Sequence, residues 1–523
     1  MEWLLEIVGL IAIVVAVSAL ARWLGLLQPI LLVVVGLALS FVRGFPVPEL
    51  DPELIIVGLL PPLLFVGALE TSVPAFRFNL RPILMLAIGH VLFIAAAVGF
   101  AVHALLPEVP LAACLALGAV VAPPDAIAAT ALARRIGLPR RVVTILEGES
   151  LLNDATALVL FRVTVAAAVG TAIGAGAIAT EILLAAGGGI LIGAVGALVL
   201  KTLHQRVTDP LIDNALSLLT PFAVAAAAER VHASGVVAVV VTGLYLGHRL
   251  PTLMSAASRL QMGAFWKILK FLLEGMVFLL VGLQLRRIFN ALSTPAGEVV
   301  MLTAVVLATV VVGRFVWVYP ATYLPRLIRR VRERDPAPPL AAPAVIAWAG
   351  MRGVVTLATA LALPLTLRGH TPYPRDLFVW LAFAVIVGTL LLQGTTLPAM
   401  SRWVRLPADD QVQDTLAEAA VQHAASRAAI DRLDALADGA PTDVVERLRR
   451  LTEYRSNAAW ERLGRGAETP SAAYVRLRRE MLNAEREVFR VARDEGRIPE
   501  EALVRAQRGM DLEESMLERS GGG

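Results

Sequence analysis

Apolar runs of about 20 residues follow one another along the first four-fifths of the chain, and each is long enough to cross a bilayer as a helix. The pattern predicts thirteen spans, near residues 3–21, 27–43, 53–71, 82–106, 111–133, 141–169, 176–201, 210–229, 233–248, 264–285, 297–324, 341–364 and 376–402. Nothing alternates apolar and polar with period two over ten-residue segments, which argues against a transmembrane β-barrel. The expected fold is an all-α polytopic membrane protein occupying residues 1–405, followed by a different domain at 406–523.

Composition agrees with this pattern. Of the 523 residues, 57% are hydrophobic and only 17% charged, against roughly 25% charged in a soluble domain; the mean hydropathy is +0.70. The net charge of +4 points to no nucleic-acid partner. The basic residues are better explained by topology. With the N-terminus outside, the inner loops carry clusters such as Arg134, Arg135, Arg140 and Arg141, and Arg326, Arg329, Arg330, Arg332 and Arg334. The outer loops carry only the scattered Arg43, Arg230, Arg286, Arg287, Arg368 and Arg375. This bias predicts a multi-pass protein of the cell membrane, N-terminus outside and C-terminus inside, with lipid as its surroundings. The first segment has no basic residue before it and no small-residue cleavage site, so it reads as a true first span. The single cysteine, Cys114, allows no disulfide within the chain.

After Arg405 the composition turns to Ala, Glu, Arg, Asp and Leu. Segments near 408–437, 442–465, 470–494 and 498–518 read as amphipathic helices. Thr442-Asp443 is a start signal, and Gly439-Ala440-Pro441 and Gly464-Arg465-Gly466 read as breaks. This cytoplasmic helical tail reads either as a bundle that steadies a dimer or as a regulatory module.

Polar residues at membrane depth carry the chemistry. The sixth span contains Glu147-Gly148-Glu149-Ser150-Leu151-Leu152-Asn153-Asp154, and each ionisable side chain there costs about 2.5–3.5 kcal/mol on insertion scales. Ser150 and Asp154 are four apart and share a helix face, Asn153 lies beside them, and Glu149 falls one residue off. The fifth span is interrupted by Ala122-Pro123-Pro124-Asp125. Adjacent prolines remove two donors and break the helix, freeing carbonyls near Pro124 and creating a half-helix start that Asp125 can cap. The twelfth span contains Gly350-Met351-Arg352-Gly353, a second weakened stretch with a buried arginine that needs a partner, for which Glu149 is the natural candidate. Spans five and twelve are seven apart. With span seven as a linker, spans one to six and eight to thirteen form two inverted six-helix repeats with broken, crossing helices in equivalent places, the signature of a secondary-transporter site. Glu70, near the end of span three, either reaches this site through water or sits at the interface. Asp213 is a candidate for lining a funnel, Glu274 and Arg314 for a structural pair, and His90 and His103 read as packing residues.

The motifs GESLLND followed by ATALVLF, APPDA one span earlier, FLLVGLQL in span ten and WAGMRGVV in span twelve resemble those of the monovalent cation:proton antiporter-1 family, in particular its bacterial NhaP-type sodium/proton antiporters. The resemblance covers about residues 1–405. It implies thirteen helices, a homodimer, a dimerisation domain separate from a six-helix core domain, and elevator-like alternating access. It also implies site roles: Asp154 as the ion- and proton-binding carboxylate with Asn153 as its partner, Ser150 as a side-chain ligand and the Pro124 carbonyl as a backbone ligand of the monovalent cation. Glu70 would act through water, Asp125 would compensate the half-helix dipoles, and Glu149 and Arg352 would form the structural ion pair. The Asn-Asp pair is the family's mark of electroneutral one-for-one exchange. The family often has Thr at the position of Pro124, so here the carbonyl remains and the hydroxyl is absent.

A carboxyl that holds either a proton or a cation, but not both, exchanges one for the other with no cofactor and no enzyme chemistry. Potassium or lithium in place of sodium is the near alternative. A cation channel with the same polar core is a more distant one. An intramembrane hydrolase on Ser150 lacks a base, because no histidine lies on span six.

Overall fold

The structure is a computed structural model that describes residues 2–43, 45, 53–170, 175–367, 373–406, 409–461, 469–495 and 497–521. Its elements are helical from end to end. They begin with α1 (Glu2–Leu24), α2 (Gln28–Ser40), a π-helical turn (Leu54–Leu59) leading into α3 (Leu60–Glu70), α4 (Val73–Phe78) and α5 (Leu80–Leu84). A second π-helical turn (Met85–His90) joins α5 to α6 (Val91–Leu105). Then follow α7 (Leu111–Val121), α8 (Ala126–Arg135), α9 (Arg140–Val169), α10 (Ala175–Arg206), α11 (Pro210–Arg230), α12 (Gly235–Leu253), α13 (Ala256–Leu283) and α14 (Leu285–Ala291). The membrane part ends with α15 (Ala296–Tyr323), α16 (Arg329–Arg334), α17 (Ala341–Trp348), α18 (Val354–Leu361) and α19 (Arg375–Val404).

Among the described residues, nine helical stretches are long and apolar enough to cross a membrane. The nine leave out the expected spans at 27–43, 53–71, 111–133 and 341–364, where the helices are shorter or interrupted. Local chemistry sets the boundaries. Asp209 caps α11 by accepting from Leu211 N–H, and Ser234 and Ser255 cap α12 and α13 in the same way. The 30-residue α9 ends at Gly170, whose φ of +97° is the left-handed conformation that glycine adopts without a Cβ clash.

Apolar packing joins α6, α7, α15 and α19 around Ile94, Leu117, Val306 and Phe378. It joins α3, α11 and α12 around Phe65, Val239 and Leu246, and α1, α2 and α13 around Val14, Leu32 and Leu279. Small residues allow close approach, as expected where lipid offers no solvent drive for helix association. Gly36 on α2 faces Gly282 on α13, and a Cβ at Gly282 would collide with the Val33 carbonyl. Where the loop after α16 meets the starts of α5 and α9, Asp335 receives Arg81 at 2.5 Å, Arg141 at 2.6 Å and Arg326 at 2.7 Å. Burial works to raise the Asp335 carboxyl, but the hydrogen bonds and charge of Arg141 and Arg326 outweigh it and hold it below the usual carboxylate range. This clamp therefore stays charged at physiological pH.

Residues from Asp409 on form a second compact unit. Its helices, α20 (Gln411–Asp434), α21 (Thr442–Glu461), α22 (Pro470–Asp494) and α23 (Glu500–Gly521), fall close to the four expected segments. The expected break at Gly439-Ala440-Pro441 lies between α20 and α21, with Gly439 at φ +81°; the one at Gly464-Arg465-Gly466 lies outside the described residues. The hairpin of α22 and α23 packs Leu482 with Met510 and Leu517, and Arg478 grips Glu513 through two hydrogen bonds of 2.6 and 2.9 Å.

The close approach of α2 and α13 predicts that Gly282→Ala destabilises the protein by about 1–3 kcal/mol, the usual cost of overpacking. Thermal unfolding of the detergent-purified protein checks it; an unchanged melting temperature would refute the contact.

Candidate ion-binding site

Two interrupted helices cross at the centre of the membrane unit. Pro123 and Pro124 offer no N–H groups, so α7 stops at Val121 and α8 starts at Ala126. The second interruption is Ala349 to Gly353, between α17 and α18. Each break supplies what the other lacks. Asp125 N–H donates to the Met351 carbonyl at 2.7 Å, and Arg352 Nε donates to the Val121 carbonyl at 2.8 Å. Arg352 Nη1 donates to the Gly350 carbonyl, and Arg352 N–H donates to Thr389 Oγ1 on α19 at 3.0 Å. The guanidinium thus lies at the negative end of α7. The Asp125 carboxylate lies against the positive start of α18, so close that a Cβ at Gly353 would collide with it.

Beside the crossing runs α9. Ser150 and Asp154, on one face as their spacing predicted, line a cavity of about 310 Å³ together with Asp125, Pro123, Thr130 and Thr356. Asp154 is only 7% exposed, and among the described residues no lysine or arginine pairs with it. Asn153 is wholly buried and donates from Nδ2 to the Pro124 carbonyl at 2.6 Å, which ties α9 to the break after α7. Glu70 lines the same cavity at its exposed side, where Lys270 Nζ holds its carboxylate at 2.7 Å. Glu274 and Glu147 also line it.

Two pairings and one placement differ from expectation. Glu149 does not form its ion pair with Arg352. It does not line the cavity and takes both ends of the Arg314 guanidinium, at 2.6 and 2.8 Å, with both side chains 1% exposed. Arg352 instead donates from Nε to the Val121 carbonyl at the end of α7 and from Nη1 to the Gly350 carbonyl, acceptors able to stabilise a buried cation. Arg314 is therefore not the partner of Glu274; its Nε donates to the Ile346 carbonyl of α17. Asp213 does not line the cavity: it is 1% exposed and bonded to His204 Nδ1 at 2.5 Å. His90, wholly buried, lies 3.9 Å from Glu149; His103 Nδ1 contacts the Val109 carbonyl at 2.9 Å, in keeping with a packing role. Sequence reasoning missed Lys270 altogether. The available signal was the i,i+4 spacing of Lys270 and Glu274.

Residues 9–403 match the transmembrane sodium/hydrogen exchanger family. The chain belongs to this family. An uncharacterized Na(+)/H(+) exchanger of Mycobacterium tuberculosis is 37% identical, with 98% of this chain and 96% of that protein covered. A sodium, potassium, lithium and rubidium/H(+) antiporter of Bacillus pumilus is 30% identical over 87% of this chain and 69% of its own length. The fold is like that of MjNhaP1, a sodium proton antiporter from Methanocaldococcus jannaschii, with a TM-score of 0.61 at 17% identity over 77% of this chain and 99% of that one. As a member of a transporter family with many apolar helices, the exchanger chain is a multi-pass membrane protein whose family works on ions as substrates.

The buried Glu149–Arg314 pair predicts that Arg314→Met, which strands a carboxylate, costs about 3–5 kcal/mol. The double variant Glu149→Gln, Arg314→Met should lose less than the single. Melting curves of the three proteins decide it, and equal curves for wild type and Arg314→Met would sink the assignment.

Proposed function

We propose that the chain exchanges Na+ for H+ across the membrane, one for one and without net charge movement, by alternating access with both ions competing for Asp154. The observation that carries this reading is the contrast between three acids near the crossing, two of them buried. Glu149 is neutralised by Arg314, Asp125 is held against the start of α18, and Asp154, which lines the cavity with Asp125, has no lysine or arginine partner among the described residues. A carboxyl at that depth is stable only when its charge is cancelled. A proton or a monovalent cation cancels it, and the loaded site then crosses the apolar barrier more readily than the empty anion.

Oxygen atoms suit a hard alkali cation. Asp154 and Ser150 offer them on one helix face, and the Pro124 carbonyl retains a lone pair beyond the one that Asn153 uses. Asp125 and Arg352 fix the charge of the half-helix ends, and Glu70 offers a carboxylate on the way in. The wider architecture belongs to the same proposal: thirteen crossings in two inverted six-helix repeats, the N-terminus outside, a homodimer built on a dimerisation domain beside a moving core, and residues 406–523 as a cytoplasmic tail. Potassium in place of sodium is the second reading, favoured by the breadth in the printed name of the Bacillus pumilus relative.

Asp154→Ala and Asp154→Asn are expected to abolish exchange. The measurement is proton flux in proteoliposomes on adding Na+, K+ or Li+, with and without a clamped membrane potential. Antiport at the wild-type rate in either variant would refute the role of Asp154, and a wild-type flux that follows the potential would refute electroneutrality. Asn153→Asp, which adds a carboxyl beside Asp154, is expected to bring charge movement or stop transport; silent electroneutral exchange would count against the pair.

A further inference from the structure

The cavity that holds Asp154 also holds a cation built into the chain. Lys270 Nζ lies 2.7 Å from Glu70 Oε2, with side chains 31% and 49% exposed, and both residues line the cavity. Lys270 stands on α13, four residues before Glu274, so the two share a helix face, and Glu274 lines the cavity as well. The pair bridges α3 and α13, whereas Asp154 stands on α9.

We propose that Lys270 is a tethered competitor of the transported cation: its ammonium occupies the Glu70 carboxylate and must leave before that carboxylate can serve an incoming ion. The inference rests on the exchange reading above. An ammonium is a compact monovalent cation on a flexible four-carbon stem, and it holds the carboxylate oxygen in a charge-assisted hydrogen bond of 2.7 Å. At this exposure its release is cheap, because a partly solvated ion pair contributes little. Glu274, one turn along α13, offers a second carboxylate to which the displaced ammonium can turn. When a cation departs, Lys270 re-pairs with Glu70 and disfavours recapture. Lys270 thereby sets the cation concentration at which the site fills, while Asp154 remains the group that exchanges.

The test is proton flux against Na+ concentration in proteoliposomes holding wild type, Lys270→Gln and Lys270→Arg. In Lys270→Gln the half-saturating Na+ concentration is expected to fall about two- to fivefold, the range open to an ion pair of this exposure, with a smaller change in maximal rate. Lys270→Arg, which keeps the charge, is expected to restore the wild-type value. A half-saturation in Lys270→Gln equal to or above that of wild type would overturn the proposal. In a Glu70→Gln background the same substitution should have no effect on half-saturation, and a full shift there would equally overturn it. For any variant too slow to assay, the Na+ concentration that half-maximally raises its melting temperature replaces flux, with the same two outcomes. Wild-type protein without Na+-driven flux would overturn the exchange reading itself; wild-type exchange with an unshifted Lys270→Gln would overturn only the tether.

Discussion

Every other feature of the membrane unit depends on one constraint: a backbone broken at membrane depth must find its hydrogen bonds inside the protein. Residues 122–125 and 349–353 meet it together. The Asp125 amide and the Met351 carbonyl satisfy each other, and the Arg352 side chain closes the carbonyl end of α7. Neither break would be stable alone in lipid. Because each helix half ends at the crossing, four partial charges converge there, and Asp125 and Arg352 are placed to cancel them.

That cancellation decides what the neighbouring helix can do. α9 carries acids on two sides. Glu149 faces Arg314 in a dry, bidentate pair that fastens α9 to α15 and, through Ile346, to α17. A buried charge so completely matched is structural, because removing either partner strands the other. Asp154, five residues on, faces open volume instead. The one-residue offset between Glu149 and Ser150 thus separates a group that holds the helix from a face that can bind an ion. Asn153, between the two, joins α9 to the Pro124 carbonyl and keeps that face registered against the break.

Much of this was legible in the sequence. Apolar run length marked most of the helices, and Pro123-Pro124 and Gly350 to Gly353 marked both interruptions, because proline and glycine act locally and leave an unambiguous trace. The shared face of Ser150 and Asp154 followed from helical spacing alone. Partner choice was not legible. Glu149 could have met any buried cation, and Arg352 looked free for it, because spacing cannot show that helix-end carbonyls already absorb a guanidinium. Arg314 was offered the wrong partner, and Asp213 a funnel in place of His204, for the same reason: which faces meet depends on packing across the whole unit and not on helix order.

The same distinction explains why charged residues around one site take different parts. A charge held by a second fixed charge, such as Glu149, or by helix ends, such as Arg352, cannot change partners without large cost, so it defines the frame. A charge held at a partly solvated edge by a flexible chain, such as Glu70 with Lys270, changes partners cheaply. Between these lies Asp154, buried like the first kind and unpaired by any lysine or arginine among the described residues. In the proposed exchange, a carboxyl in that position recruits its counter-charge, a proton or a cation, from outside the protein. On the proposed exchange reading, the fixed pairs around it leave the cavity as the route by which that counter-charge arrives.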